Sequence, residues 1–339
     1  MTINLKQLSK LLKLSPTTVS RALADYPDVS AKTRARVKQM AIQQGYQPNP
    51  VARRLQTGKT ETIGIVITPE QNYFSDTFFI DLLSGISNQI TRAGYELILG
   101  VASDEEHEMQ SMRRMVEGKR VDGMILTLIR EQDPRVGYLL DRDFPFVLYG
   151  RTRETRPYAF VDMDGKQAFE KACTYLAGLG HRRIALLNGE PGFMFPVGCR
   201  EGYESGLFLS GLELDPDLIR EWKHKDPSQS SYRWTLELFK NDNPPTAILF
   251  QTEAVNGIFK GLDELDLQPG KDVALIGYDD LEIARIHRPS LSVLRPQARE
   301  AGQRVVNILM EVIKGEDPGK FQEIHQVEMV IRETSLPPS

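Results

Sequence analysis

The hydrophobic positions at the start of the chain repeat at helical spacing. Leu5, Leu8 and Leu12 form one apolar stripe, which predicts a first short helix. Ser15 is a suitable N-cap, and Pro16 fits the first position of a second helix because proline has no N–H to leave unpaired there. A third helical stretch, VSAKTRARVKQMAIQQG, follows. The head of the chain is therefore predicted to be all-α.

The second predicted helix has polar residues on the side away from its apolar face. Val19, Ala22 and Leu23 form the buried face. The opposite face carries a proline, two hydroxyl residues and an arginine, namely Pro16, Thr17, Ser20 and Arg21. Small hydroxyls can enter a major groove, and arginine can form two hydrogen bonds with guanine. Two helices joined by a tight turn, with such a face on the second, are typical of a helix-turn-helix.

From Thr60 onward the pattern changes to apolar runs separated by helical stretches. The runs are TIGIVIT, YELILGV, VDGMILTL and FPFVLYG, followed by RRIALLNG, LIREW, TAILFQT and DVALIGY. Parallel strands that crossover helices cover on both faces produce this pattern. The two sets of runs predict an α/β core of two doubly wound subdomains, in which a ligand would bind beyond the carboxyl ends of the strands.

The charges divide the chain at the same place. The net charge of −4 combines +9 for residues 1–59 with −13 for the remainder. A basic head on an acidic body favours a polyanion as the partner of the head. A solvated basic surface would give the same charge, so the charge by itself leaves both interpretations open.

A short basic segment, YQPNPVARRLQTGKT, joins the head to the body. Asn49 can cap a helical stretch that reaches Gln56, but so few residues do not form a stable helix alone. We therefore expect the segment to fold only against a partner. Arg53 and Arg54 would then lie near phosphates, and Leu55 would insert between base steps from the minor groove. A plain basic linker is the alternative interpretation.

The sequence resembles one known family over essentially its whole length. The stretches LKQLSKLLKLSPTTVSRAL, VSAKTRARV and GYQPNPVARRLQTGKTETIGIV resemble the head and hinge of the lactose-repressor (LacI/GalR) family of bacterial transcription regulators. The resemblance continues through LGHRRIALLNG, DVALIGYDD and SLSVLRP. It implies a helix-turn-helix head at 1–47, a hinge helix and linker at 48–59, and an effector-binding core at 60–339 that resembles periplasmic binding proteins.

The resemblance also implies how the core divides. The N-subdomain is expected at about 60–160 and 292–322, and the C-subdomain at about 161–291 and 323–339. The strand LSVLR and the helix at 298–314 would cross back to the first subdomain, and the closing strand IHQVEMVI would return to the second.

Residues of the head and hinge form the predicted DNA-binding set. It comprises Leu5, Ser15, Pro16, Thr17, Thr18, Ser20, Arg21, Ser30, Thr33, Asn49, Ala52, Arg53 and Leu55. Pro16, Thr17 and Arg21 are expected to set base preference because they lie at the exposed start of the second helix. The expected partner is a near-palindromic operator, which two heads on one two-fold axis would read, so we expect a homodimer.

Residues near the ends of core strands and in the loops beside them form the predicted ligand-binding set. It comprises Tyr73, Phe74, Asp76, Arg151, Asp162, Arg200, Gln251 and Asp279. Aromatic faces with a few polar groups are typical of a sugar site, although each aromatic residue could equally be part of the core. The family usually has an effector-binding arginine where this chain has Cys199, and Arg200 is the nearest arginine. The family's usual Asn-Asp pair is replaced here by Gln251 and Thr252.

These features predict a DNA-binding repressor whose operator affinity is controlled by a small ligand, a sugar or glycoside, bound between the core subdomains. A corepressor-dependent repressor of purine type and an activator are the alternatives. The chain lacks the phosphate-loop, dinucleotide-loop and GxSxG motifs, so we expect no enzyme, no catalytic residue and no cofactor. The cysteines and histidines lack the spacing of a metal site. No apolar signal sequence begins the chain, so we expect a cytoplasmic protein.

Overall fold

A computed structural model describes residues 3–46, 58–68, 77–222 and 226–337. The chain divides into two compact units, Met1–Thr60 and Glu61–Ser339. Within the described ranges, every helix is too short or too polar to traverse a lipid bilayer.

The N-terminal unit has the three helices that its apolar spacing predicts. They are α1 (Leu5–Leu12), α2 (Pro16–Leu23) and α3 (Ala31–Gln43). One small core joins them, formed by the buried side chains of Leu8, Leu12, Val19, Ala22, Val29, Val37 and Ala41. The helical content and the buried face predicted for α2 are confirmed.

Side-chain caps fix where these helices begin and end. The Ser15 hydroxyl accepts a hydrogen bond of 3.1 Å from the Thr18 N–H, and Ser30 accepts one of 3.2 Å from the Thr33 N–H. Each such cap stabilises a helix by about 1 kcal/mol because it pairs an N–H that the helix leaves open. Gly45 follows α3 at φ +61°, a conformation that glycine adopts without strain.

The C-terminal unit contains two six-stranded sheets. The first is formed by β1 (Thr62–Ile67), β2 (Glu96–Val101), β3 (Gly123–Leu126), β4 (Phe146–Tyr149), β5 (Ala159–Met163) and β11 (Gln322–His325). The second is formed by β6 (Ile184–Asn188), β7 (Ile219–Glu221), β8 (Ala247–Gln251), β9 (Ala274–Tyr278), β10 (Ser292–Arg295) and β12 (Glu328–Val330). Their orders are β11-β5-β4-β3-β1-β2 and β12-β10-β9-β8-β6-β7, and β10–β12 is the antiparallel pair among the described strands.

Helices cover both sheets. They are α4 (Thr77–Arg92), α5 (Glu105–Glu117), α6 (Pro134–Leu140), α7 (Gly165–Gly178), α8 (Met194–Leu209), α9 (Pro227–Phe239), α10 (Val255–Glu264), α11 (Glu282–Ile286) and α12 (Ala298–Ile313). The central strands β1, β6, β8 and β9 are buried at every residue, as parallel strands between helical layers must be. The predicted pair of doubly wound subdomains is confirmed.

The chain crosses between the sheets after β5, between β10 and α12, and between β11 and β12. Two expected assignments are wrong. LSVLR does not cross back to the first subdomain, because β10 pairs with β9 and β12 in the second sheet. IHQVEMVI is not one strand, because β11 pairs with β5 in the first sheet and only β12 belongs to the second.

The corrected boundaries follow from these pairings. The first subdomain extends through β5 and therefore includes residues 161–163, which were expected in the second. Helix α12 crosses back as predicted and packs against α4 and β4. A Cβ added at Gly85 would lie 2.0 Å from the Arg299 carbonyl, so α4 and α12 approach more closely than any residue but glycine allows.

Candidate DNA-recognition surface and effector cavity

The start of α2 presents the predicted recognition face to solvent. Ser15, Pro16 and Thr17 are exposed, whereas Val19 and Ala22 on the same helix have no exposed surface. The exposed side chains are therefore free to contact a partner without disturbing the core of the head.

Arg21 lies on this face but has a partner within the head. Its guanidinium is 2.9 Å from the Asp28 carboxylate and lies over the ring of Tyr26 at 4.8 Å. An exposed ion pair contributes about 0–1 kcal/mol, whereas a bidentate arginine–guanine contact contributes about 1–3 kcal/mol of discrimination. The ion pair with Asp28 would therefore oppose a contact between Arg21 and a guanine edge only weakly.

The other predicted DNA-binding positions fall into two groups. Leu5, Thr18, Ser20 and Thr33 are half-buried, and Ser30 is exposed at the start of α3. Those of the hinge, Asn49, Ala52, Arg53 and Leu55, lie outside the described residues.

A cavity of about 880 Å³ lies between the two subdomains. Strand ends of both sheets line it: Thr68 after β1, Thr127 after β3, Gly150 after β4, Gly189 after β6 and Trp222 after β7. The volume is in the upper part of the roughly 300–1,000 Å³ typical of small-molecule sites. This is the location that a doubly wound fold predicts for a ligand.

The structure brings together four of the predicted ligand-binding residues at this cavity. Arg151, Asp162, Gln251 and Asp279 all line it. Those predicted in the loop after β1, Tyr73, Phe74 and Asp76, lie outside the described residues.

Arg200 is the one described residue of the set that does not line the cavity. Its Nε donates to Glu204 at 2.9 Å and its Nη1 lies 3.4 Å from Glu221. Cys199 shares the buried face of α8 with Tyr203, and one residue further along a helix turns the side chain about 100° away. Arg200 therefore does not take the place of the arginine that Cys199 replaces.

An ion pair occupies the first subdomain's side of the cavity. The Nε of Arg151 donates to the Asp162 carboxylate at 2.5 Å. Burial raises the pKa of Asp162, the charge of Arg151 opposes that rise, and the Asp164 carboxylate adds to it. The pair presents a carboxylate oxygen and guanidinium N–H groups at adjacent positions, which matches the acceptors and donors of neighbouring sugar hydroxyls.

Neutral groups occupy one part of the second subdomain's side, at the end of β8. Gln251 donates to the Asn188 side chain at 2.8 Å, and Asn188 donates to the Pro196 carbonyl at 2.9 Å. Cys199 is fully buried behind them, and burial raises the pKa of its thiol well above its usual range, so the thiol is uncharged at neutral pH. A Cβ on Gly189 would lie 2.4 Å from Gln251 Oε1, so a larger residue here would displace this amide.

The carboxylate pair at the end of β9 has two different environments. Asp279 lines the cavity and adopts φ +77°, and its N–H donates to the Leu294 carbonyl at 2.8 Å. The Asp280 side chain is 3% exposed, and its carboxylate lies 2.9 Å from Arg285 and 2.8 Å from Arg332. Burial alone would raise the pKa of Asp280, but the hydrogen bonds from these two arginines outweigh it and lower the pKa. Asp280 thereby holds the strand end that presents Asp279.

Aromatic side chains add apolar faces that the sequence analysis did not assign to this site. On the first subdomain, the ring centroids of Phe78 and Tyr149 are 5.8 Å apart. On the second, those of Phe195 and Tyr278 are 4.6 Å apart. Trp222 also lines the cavity, and it stacks on Trp234 with the ring centroids 6.3 Å apart. These aromatic residues lie at strand ends and helix starts, and that placement could have predicted that they line the cavity.

Acidic groups outnumber basic ones among the described residues that line the cavity. The carboxylates are Asp104, Glu105, Asp162, Glu190, Glu201, Glu253 and Asp279. The cations are Arg151, Arg153 and Lys166. Across the described part of the chain, no group of three or more His, Cys, Asp or Glu side chains is arranged to hold a metal ion.

Two backbone hydrogen bonds join the subdomains directly beside the cavity. The Glu131 N–H donates to the Gly192 carbonyl and the Met194 N–H donates to the Ile129 carbonyl, both at 2.9 Å. The Arg130 guanidinium also lies 5.6 Å from the centre of the Phe193 ring. The loop after β3 and the start of α8 therefore form a short antiparallel bridge between the two halves of the core.

Comparisons with known proteins agree with both parts of the chain. The profile "Bacterial regulatory proteins, lacI family" matches residues 4–49, and the profile "Periplasmic binding protein-like domain" matches residues 173–335. The HTH-type transcriptional regulator AglR of Rhizobium meliloti (strain 1021) is 35% identical over 344 residues, which cover 99% of this chain and 95% of that protein.

Two solved structures show the same fold. The Lac repressor dimer bound to operator and the anti-inducer ONPF has a TM-score of 0.84 at 22% identity and covers 99% of this chain and 100% of its own. A complex of the transcriptional regulator CelR with cellobiose has a TM-score of 0.74 at 23% identity and covers 98% and 99%. The prediction of a transcription regulator rather than an enzyme is confirmed. The chain is a DNA-binding transcription regulator that belongs to the LacI family.

Proposed function

We propose that the protein is a homodimeric repressor whose affinity for a near-palindromic operator is controlled by a carbohydrate bound in the cavity. The single observation that carries the carbohydrate assignment is the lining of that cavity. It combines aromatic faces from both subdomains with the Arg151–Asp162 pair and the Asp279 carboxylate at strand ends. The cellobiose-bound regulator with the same fold supports this ligand class.

The head supplies the DNA contacts in this proposal. Pro16, Thr17 and Arg21 read base edges, and the hinge at 48–59 folds on the operator and places Leu55 in the minor groove. The dimer supplies two heads on one two-fold axis, as in the Lac repressor dimer on its operator. We place this activity in the cytoplasm.

Ligand control follows from the position of the cavity. A sugar that contacts strand ends of both subdomains binds one relative arrangement of them more tightly than another, and it shifts their equilibrium by that difference in affinity. A changed arrangement moves the segments from which the two hinges of a dimer begin, and so favours the folded or the unfolded hinge.

The test is a titration of operator binding by the purified protein against sugars, glycosides and nucleobases. We expect sugars or glycosides to weaken operator binding. A response to nucleobases alone would instead indicate a corepressor-dependent regulator of purine type. If a sugar instead tightened operator binding, the effector would still be a carbohydrate, but it would act as a corepressor and not as an inducer.

A further inference from the structure

A buried network of ion pairs lies behind the loop that joins β3 to α6. Arg135 on α6 donates to Glu108 on α5 at 2.6 Å, and its Nε and Nη2 donate to the two carboxylate oxygens of Asp133 at 2.9 and 2.6 Å. At most 4% of each of these three side chains is exposed. Burial would raise the pKa of Asp133, but the hydrogen bonds and charge of Arg135 outweigh it and lower the pKa. Buried charges are costly unless each is paired, so the network fixes the elements that carry it.

The same network holds the loop in a backbone conformation that leucine rarely adopts. Leu128 has φ +48°, in the left-handed region. Arg135 Nη2 donates to the Thr127 and Leu128 carbonyls at 3.1 and 3.0 Å. The backbone N–H of Arg130 donates to Asp133 at 3.2 Å. An unfavourable conformation persists where its surroundings determine it, so this loop is held firmly in the first subdomain.

Arg130 connects the network to the second subdomain. Its Nη2 donates to Glu108 at 3.1 Å and its Nε donates to Glu105 at 3.0 Å. Its guanidinium also lies 5.6 Å from the centre of the ring of Phe193, the residue before α8. Because the Arg130 side chain is only 12% exposed, solvent screens these contacts little. Among the described residues, Phe193 lines the cavity and Arg130 does not.

We propose that Arg130 is a positioning residue for the effector cavity, because it fastens the start of α8 to the firmly held loop of the first subdomain. The inference rests on the proposed function in taking this cavity as the effector site. The bridge between the loop and α8 has two backbone hydrogen bonds, and Phe193 makes no side-chain cap hydrogen bond at the N-cap position of α8. A cation over the Phe193 ring adds a third contact to this bridge. The positions of Phe193 and Met194 in the cavity wall therefore depend on Arg130.

Hydrogen exchange of the ligand-free, full-length protein, measured by mass spectrometry, tests this role. Arg130→Met keeps most of the length of the side chain and removes its charge. We expect the two amides that donate in the bridge, those of Glu131 and Met194, to exchange about fivefold faster in the variant, because one shielded cation–π contact is lost. Peptides from β3 and α5 should exchange as in the wild type. Unchanged exchange at Met194 would overturn the proposal, and so would an equal acceleration across β3 and α5.

Arg142→Met is the matched control. The Arg142 guanidinium lies 3.9 Å from the centre of the Tyr138 ring and 3.7 Å from Glu117, so it makes the same kinds of contact within the first subdomain alone. We expect this variant to leave exchange at Met194 within twofold of the wild type. If it accelerated that exchange as much as Arg130→Met does, the effect would not depend on a contact with α8, and the assignment of Arg130 would be wrong.

A double-mutant cycle measures whether Arg130 acts through Phe193. Phe193→Leu removes the ring and keeps an apolar side chain. In the Phe193→Leu background, we expect Arg130→Met to accelerate exchange at Met194 less than twofold, compared with about fivefold in the wild-type background. Equal accelerations in the two backgrounds would mean that the two side chains act independently, which would contradict the proposal.

These measurements separate the inference from the proposed function, because none of them includes a sugar. If no sugar changed operator binding, the carbohydrate effector would be wrong and the exchange results would still decide the role of Arg130. If the exchange results contradicted the role of Arg130, the carbohydrate effector would be unaffected.

Discussion

Pro16 and Thr17 illustrate how single residues divide stability from recognition in the head. Both are exposed, and the Ser15 hydroxyl in front of them supplies the N-cap. The buried residues of the same helix, Val19 and Ala22, hold α2 in the core of the head. Substitutions at the two exposed positions should therefore act on base preference and leave folding almost untouched.

We predict that Pro16→Ala combined with Thr17→Gln changes the preferred operator. Each lost base contact costs about 1–3 kcal/mol of discrimination, whereas exposed substitutions usually change stability by less than about 0.5 kcal/mol. Selection from a library of randomised sites, with thermal unfolding alongside, measures both effects. Gln43→Ala, at an exposed position of α3 outside the predicted set, should keep the original preference. An unchanged preference in the double variant would remove these residues from base recognition.

Cys199 and Arg200 show how far residue patterns predict a site. Arg151, Asp162, Gln251 and Asp279 line one cavity, because strand ends of both sheets face it. The prediction for Arg200 relied on nearness along the chain. Helical geometry opposes it, because Cys199 shares the buried face with Gly202 and Tyr203, and Arg200 turns away from the cavity.

At the scale of elements, the bridge between the β3 loop and the start of α8 joins the two halves of the core. Met194 is the first residue of α8, so its N–H has no partner within the helix and is available to the Ile129 carbonyl. Phe193 before it has extended dihedrals, φ −90° and ψ 142°. The residue before a proline favours extended dihedrals such as these, and proline itself is favoured at the first position of a helix.

We therefore predict that Met194→Pro leaves α8 intact but weakens the bridge. One hydrogen bond contributes about 1 kcal/mol, so ligand affinity should fall roughly fivefold if the bridged arrangement is the one that binds ligand. Met194→Ala is the control, since it also removes the methionine side chain from the cavity lining but keeps the N–H. Calorimetry with a neutral sugar that binds the wild type compares them. Equal affinities of the two variants would mean that the bridge does not favour the ligand-bound arrangement.

Elements also show where sequence patterns stop being informative. Apolar runs predict most strands of the core, because buried parallel strands need apolar residues on both faces. The stretches between these runs predict its helices. The pattern does not state which sheet a strand joins. IHQVEMVI therefore looked like one strand, although β11 and β12 pair with different sheets. YAFVDMDG is not among the predicted apolar runs, although it contains β5, which pairs with β4 and β11 in the first sheet.

At the scale of the whole molecule, charge and compactness divide the chain at the same place. The unit Met1–Thr60 contains the whole segment 1–59, whose net charge is +9, and the unit Glu61–Ser339 contains the cavity and both sheets. Contacts with phosphates release counterions, so DNA affinity should depend on the head and weaken with salt.

We predict that a fragment of residues 61–339 binds the same sugar as the full chain and has no operator affinity. The full chain should lose operator affinity steeply between about 50 and 200 mM salt. A plot of the logarithm of the association constant against the logarithm of the salt concentration should have a slope of about −0.9 for each phosphate contact. Fluorescence anisotropy with labelled operator measures both proteins. Specific binding by the fragment would place the DNA site in the core instead.

The central claim is that a sugar held at the Asp279 end of the cavity controls operator binding by the head. The most direct measurement is operator affinity with and without saturating sugar, for wild type and Asp279→Asn. Asparagine tolerates the positive φ of this position, so the variant removes the carboxylate with little backbone strain. We predict that sugar weakens wild-type binding at least tenfold, and that the variant binds operator as tightly as wild type without sugar and fails to respond to it. An equal response in the variant, or no response of the wild type to any sugar, would contradict the account.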